Sequence, residues 1–135
     1  MRDFLMGCWF RRPCGERPGA REVAEANWIT VREVTAQEIV QLLRMGLEEG
    51  EAEAIALAHE IGAEVVMLDE QDARQAAKQL GLRVLGTIGV LIWGRRVGKL
   101  VSLREAMDAL QTRAKFRISR TLYERALSEV GEQQR

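Results

Sequence analysis

Residues 65–92 read VVMLDEQDARQAAKQLGLRVLGTIGVLI, and the order of patterns in this stretch decides the fold. Glu64 to Asp69 has an unbroken apolar centre, the form of a strand covered on both faces as in parallel sheets. DARQAAKQLG then reads as a helix, LRVLG as a second strand and TIGVLIWGRRVG as a further helix. Upstream, Thr35-Ala36-Gln37-Glu38 has the Thr-x-x-Glu form of a capping box, opening a helix with Ile39, Leu42, Leu43 and Gly46 or Leu47 on one face. Before it, Trp28 to Val34 alternates and is β-branched, which predicts a strand, and Pro18 opens a short helix through AREVAEAN. Downstream, SLREAMDALQTRA and SRTLYERALSEVG read as helices, each led by a serine able to cap it. Strands alternating with helices imply an α/β domain with a mainly parallel sheet and right-handed crossovers.

At 135 residues the chain has the length of one domain with a sizeable core. The expected organisation is an irregular leader over residues 1–17 and a single domain over residues 18–132. Nearly half the residues are apolar and both signs of charge are plentiful, which excludes disordered, collagen-like and disulfide-rich classes. No apolar run reaches the roughly 20 residues of a membrane span, and the opening MRDFLMGCWF lacks the pattern of a signal peptide. A cytoplasmic protein without a membrane partner is expected. Cys8, Cys14 and His59 are too few for a zinc site, and the thiols are read as reduced and incidental, with a disulfide between them as the second reading.

Net charge is zero but unevenly spread. Between Glu33 and Asp72 many acids face Arg44 alone, whereas between Ala73 and Arg125 the bases outnumber Glu105, Asp108 and Glu124. Clustered bases gain affinity for phosphates by releasing counterions, so a polyanionic partner is one reading; a mixed, solvated surface is the other.

The acidic stretch Glu48–Ala58, EEGEAEAIALA, contains the carboxylates of interest. A helical step of 100° places Glu49, Glu53 and Glu60 on one solvated stripe and puts Ile55, Ala58 and Ile61 or Gly62 inside. Glu51 heads the inner stripe, turned roughly 200° from Glu49 and Glu53. Asp69 ends the buried strand, and in open α/β sheets ligands gather beyond the carboxyl ends of strands. Asp72 opens the next helix. Both aspartates also suit purely structural work, Asp69 as an N-cap and Asp72 in the first turn. If Glu51, Asp69 and Asp72 converge, their mutual repulsion calls for a hard divalent cation such as Mg²⁺ or Mn²⁺, which activates water for phosphodiester hydrolysis.

GEAEAIALA (Gly50–Ala58), VVMLDEQDARQAAKQLGLRVLGTIGVLI (Val65–Ile92) and FRISRTLYERALSEVGE (Phe116–Glu132) together resemble the PIN-like nuclease superfamily, in a prokaryotic branch with a GE-x-EAI helix, a strand-end aspartate and a GT-x-GVL turn. The resemblance covers about three quarters of the chain, from roughly Trp28 onward. It implies a PIN-like parallel sheet flanked by helices and a Mg²⁺- or Mn²⁺-dependent ribonuclease. It also implies RNA as substrate and, as for many small prokaryotic members, a toxin held by an antitoxin-like protein. Carried over by position, the helix glutamate is Glu51, the strand-end aspartate Asp69, and the fourth acid Asp72 or Glu70. Thr87 falls at the site edge, and Arg95, Arg96 and Lys99 lie where they could grip a nucleic-acid backbone. A glycine-eased turn at Gly86-Thr87 and helix-dipole pairing of the bases are the bland alternatives. Trp93 reads as packing and His59 as surface.

The N-terminus departs from that pattern. Members begin with an apolar strand ending in a metal-binding aspartate, whereas MRDFLMGCWFRRPCGERPGA offers no such strand before Asp3. The fold is therefore expected to lack the usual first strand, as though the start of a longer gene had been lost or misread, leaving sheet edges to be covered. The rival reading is a catalytically silent module that keeps the fold for protein association, with an antitoxin-like partner or as a homo-oligomer.

Overall fold

Two short strands, β1 (Val65–Met67) and β2 (Arg83–Leu85), pair in parallel, with Val65 opposite Arg83, Val66 opposite Val84 and Met67 opposite Leu85. The ladder runs one bond further, as the Leu68 amide donates to the Leu85 carbonyl at 3.1 Å. This pair lies in a computed structural model that describes residues 19–133. The expected leader over residues 1–17, with Asp3, Cys8 and Cys14, and Pro18 lie outside the described residues. Among the described residues, seven helices accompany the two-stranded sheet, making the protein α/β: α1 (Ala20–Glu25), α2 (Gln37–Leu43), α3 (Glu49–Ile61), α4 (Gln71–Gln79), α5 (Thr87–Arg96), α6 (Leu103–Arg113) and α7 (Arg120–Glu129). None is long and apolar enough to cross a membrane. The chain divides into two compact units after Leu85.

The first unit is organised around α3. Ala54, Ile55, Leu57 and Ala58 pack in one cluster with Val66 and Leu68 of the strand region and Ala73 and Ala77 of α4. On another side, Ala52 and Ala56 pack with Val40 of α2. Burial on both sides is possible because so many of these side chains are alanine, which lets neighbouring backbones approach closely. Gly62 closes α3 in the left-handed region, at φ 64°, and the Ala63 amide donates to the Ala58 carbonyl at 2.9 Å. A side chain at position 62 would strain that backbone, which is why glycine suits it.

Trp28 to Val34 is not a strand. No described strand lies beside it, and its Trp28 and Val31 are 63% and 61% exposed. Alternation gives a segment the side chains of a strand, but a ladder also needs a neighbouring edge to satisfy its amides and carbonyls. The expected capping box is also replaced. α2 starts at Gln37 with Ala36 at its N-cap and no side-chain cap. The Thr35 hydroxyl donates instead to Glu60 at the end of α3, whose other oxygen accepts from the Thr35 amide at 3.1 Å and the Ala36 amide at 3.4 Å. A carboxylate from another helix thus does the work expected of Glu38. Glu60, expected to be merely solvated, is held below its ordinary pKa by the Thr35 hydroxyl and the backbone amides. On α2 Val40 is buried and the expected Ile39 and Leu43 pack beside it, whereas Leu42, also expected inside, is 69% exposed.

In the second unit, Ile88 of α5, Leu103 and Met107 of α6, and Ala126 and Leu127 of α7 form the core. Both serines cap as expected: Ser102 Oγ accepts from the Glu105 amide and Ser119 Oγ from the Leu122 amide, each at 3.2 Å. Trp93, read as packing, is half exposed on α5. Glu132, just beyond α7, serves the start of α6. It accepts from the Leu103 amide at 2.9 Å, the Arg104 amide at 3.1 Å and Ser102 Oγ at 3.2 Å, and pairs with Arg95 Nε at 2.6 Å. The helix-start amide of Leu103, then Arg95, then the Arg104 amide and Ser102 hold its carboxyl down to about 2.

Because Glu132 binds its proton more weakly folded than unfolded, the stability it contributes is full above the ordinary carboxylate range, near 4.5, and is lost as pH falls toward about 2. Glu132→Ala is expected to lower urea stability by about 2 kcal/mol at pH 7, since several charge-assisted hydrogen bonds go with it. The difference from the unmodified protein should shrink steadily between pH 4.5 and pH 2, as unfolding curves across that range will show.

Candidate functional site

Glu51 and Asp69 line one small cleft, of about 190 Å³, with Gly50, Ala54, Met67 and Leu68 among its walls. Their positions follow from the packing of the first unit. Glu51 stands in the first turn of α3, and Asp69 two residues past β1. As α3 packs on β1, the start of the helix and the carboxyl end of the strand come to the same place. The juxtaposition expected from one residue on each element is therefore present for this pair.

Glu51 is half-buried, and its pKa is raised above the ordinary glutamate value. Desolvation is the leading cause, the backbone amide of Glu48 opposes it, and the charges of Glu70, Glu48 and Asp72 raise it further. Asp72, in the first turn of α4, thus acts on Glu51 through its charge, although the cleft is lined by Glu70 rather than by Asp72. Asp69 is exposed and is not the N-cap of α4; Glu70 occupies that position, without a side-chain bond to the helix. The carboxylate field around Glu51 therefore comes from Glu48, at the N-cap of α3, and from Glu70 and Asp72 at the start of α4.

The remaining expected site residues belong to the second unit. Thr87 is the first residue of α5 and Gly86 its N-cap, at φ −90°, so this turn does not depend on glycine's access to the left-handed region. Arg95 is paired with Glu132, and Arg96 with Glu129 at 3.2 Å. Lys99 is exposed and forms no ion pair with a described residue. Sequence reasoning overlooked the roles of Glu48, Glu60 and Glu132. Their tasks lie in other elements or in the field of a neighbour, and helical periodicity holds no signal for them.

The chain belongs to the PIN-domain family: a family model described as a PIN domain matches residues 12–132. No curated protein and no solved structure matches it. Membership carries a nuclease-type function in general, and PIN domains generally use divalent metal ions. Carboxylate oxygens are the donors such hard cations take, so the donors of the cleft fit in kind. In number they are incomplete, because among the described residues no group of three or more His, Cys, Asp or Glu side chains is placed to hold an ion.

The raised pKa of Glu51 has a definite sign in stability. The folded state holds this proton more tightly than the unfolded chain, so ionisation opposes folding; the penalty is absent below the unfolded carboxylate range and complete above the raised folded value. Glu51→Gln is therefore expected to raise the urea midpoint at pH 7 and to leave it unchanged at pH 3.5. A lower midpoint at pH 7 would contradict the assignment of Glu51 as a desolvated, mutually repelled carboxylate.

Proposed function

We propose that this protein is a Mg²⁺- or Mn²⁺-dependent ribonuclease, with Glu51 and Asp69 holding the ion and Asp72 completing the acidic edge. The observation that supports the reading is the cleft shared by Glu51 and Asp69, in which burial and three neighbouring carboxylates make an unneutralised Glu51 costly. A bound divalent ion lowers the pKa of a water molecule and stabilises charge on a phosphate. The chain's own part is to keep two carboxylates at fixed positions, one on a packed helix and one at a strand end. Rigidity of that kind matters because small displacements of catalytic groups are expensive in rate. Thr87, Arg95, Arg96 and Lys99 are proposed as contacts to RNA, Arg95 and Arg96 exchanging their glutamate partners for phosphates. An antitoxin-like protein is the proposed partner of such a nuclease in a toxin–antitoxin pair.

One observation favours a second reading, a catalytically silent PIN domain that associates with an antitoxin-like protein or with its own copies. Among the described residues the carboxylates do not assemble into a three-ligand group. The same unit exposes Trp28, Val31, Leu42 and Met45, apolar area that association would cover.

Incubation of single-stranded RNA with Mg²⁺ or Mn²⁺ separates the two. The ribonuclease reading expects cleavage that falls by about 100-fold or more in Asp69→Asn and in Glu51→Gln. Equal cleavage by the unmodified protein and both variants would end it. Calorimetry without divalent-ion binding, together with a stable oligomer in solution, is the result expected of the silent module.

A further inference from the structure

Asp69 also lines a second cleft, of about 400 Å³, whose other walls are Gln71, Arg74, Gln75 and Lys78. These four residues recur at intervals of three and four along α4, so they share one face, and the helix buries Ala73 and Ala77 on another. Arg74 and Lys78 stand one helical turn apart, about 6 Å along the axis. Neither forms an ion pair with a described residue, although the same unit is rich in carboxylates. Lys78, in the last turn of α4, complements the helix dipole; Arg74 lies in the middle of the helix, where the dipole gives no reason for a cation. The amides of Gln71 and Gln75 stand beside these cations as neutral hydrogen-bond donors and acceptors.

Two cations and two amides in a row suit a chain of phosphates and sugar hydroxyls, where most protein–nucleic acid hydrogen bonds fall. The row ends at the one carboxylate it shares with the Glu51 cleft. We propose that Gln71, Arg74, Gln75 and Lys78 form a track for the backbone of single-stranded RNA, feeding the strand to the cleft of Glu51 and Asp69. This rests on the ribonuclease reading above. It adds binding residues on α4, in the same unit as the acidic cleft.

The test measures binding apart from cleavage, by fluorescence anisotropy of a labelled single-stranded RNA in EDTA over a range of salt concentrations. Arg74→Gln/Lys78→Gln is expected to weaken binding about 10-fold or more and to make the salt slope shallower by about 1.4, the value for two lost phosphate contacts on a single strand. The comparison variant Arg32→Gln/Arg44→Gln, which removes two cations of the same unit that line neither cleft, should leave the slope close to that of the unmodified protein. Glu51→Gln/Asp69→Asn should bind with an undiminished slope while failing to cleave in Mg²⁺. If the α4 variant retains the unmodified affinity and slope although the unmodified protein cleaves RNA in Mg²⁺, the track is wrong and the ribonuclease reading stands. An equal loss in both arginine-containing variants also overturns the track, since the effect is then general charge. Unmodified protein that neither binds nor cleaves RNA overturns both. Circular dichroism of each variant verifies the fold, and glutamine preserves helix propensity at both α4 positions.

Discussion

The first unit depends on the burial of α3 from two sides. An alanine-rich helix contributes little apolar area per residue, so it must touch several neighbours closely to be held. It does so through Ile55, Leu57, Ala54 and Ala58 against the strand region and α4 in one direction, and through Ala52 and Ala56 against α2 in another. Once the helix is fixed in this way, its two ends acquire defined surroundings. At the start, Glu51 is drawn partly out of water next to the end of β1; at the finish, Glu60 reaches the opening of α2.

These two glutamates show how position determines the chemistry of one side-chain type. Glu60 meets amides and a hydroxyl, groups that favour its charge, and its proton affinity falls. Glu51 meets apolar walls and other carboxylates, which disfavour its charge, and its proton affinity rises. The first arrangement stabilises the fold. The second opposes it, and a residue kept in an environment that costs stability is a natural place to look for function. Glu132 repeats the structural case in the second unit, where a carboxylate from the chain end satisfies the unpaired amides at the start of a helix.

Much of the architecture was legible in residues 65–92 because burial patterns there are local: an apolar run, a helix, an apolar run and another helix all appear as expected. The inward setting of Glu51 was legible too, through simple rotation about the helix axis. Trp28 to Val34 was misread because strand formation is a property of pairs. Nothing in the alternation of a segment reveals whether an edge awaits it. The capping box at Thr35 was misread for a related reason, since the acceptor came from a glutamate 25 residues away rather than from one three residues on.

The sequence by itself determined the class of fold, the family and the elements on which the candidate acids sit, because periodicity, turn residues and motif order are written along the chain. Only the tertiary structure decided which carboxylates share a cleft, which are engaged in capping helices, and that Asp69 borders both the acidic cleft and the basic face of α4. Proton affinity, ion pairing and convergence arise from groups brought together through space, and distance along the chain does not encode them.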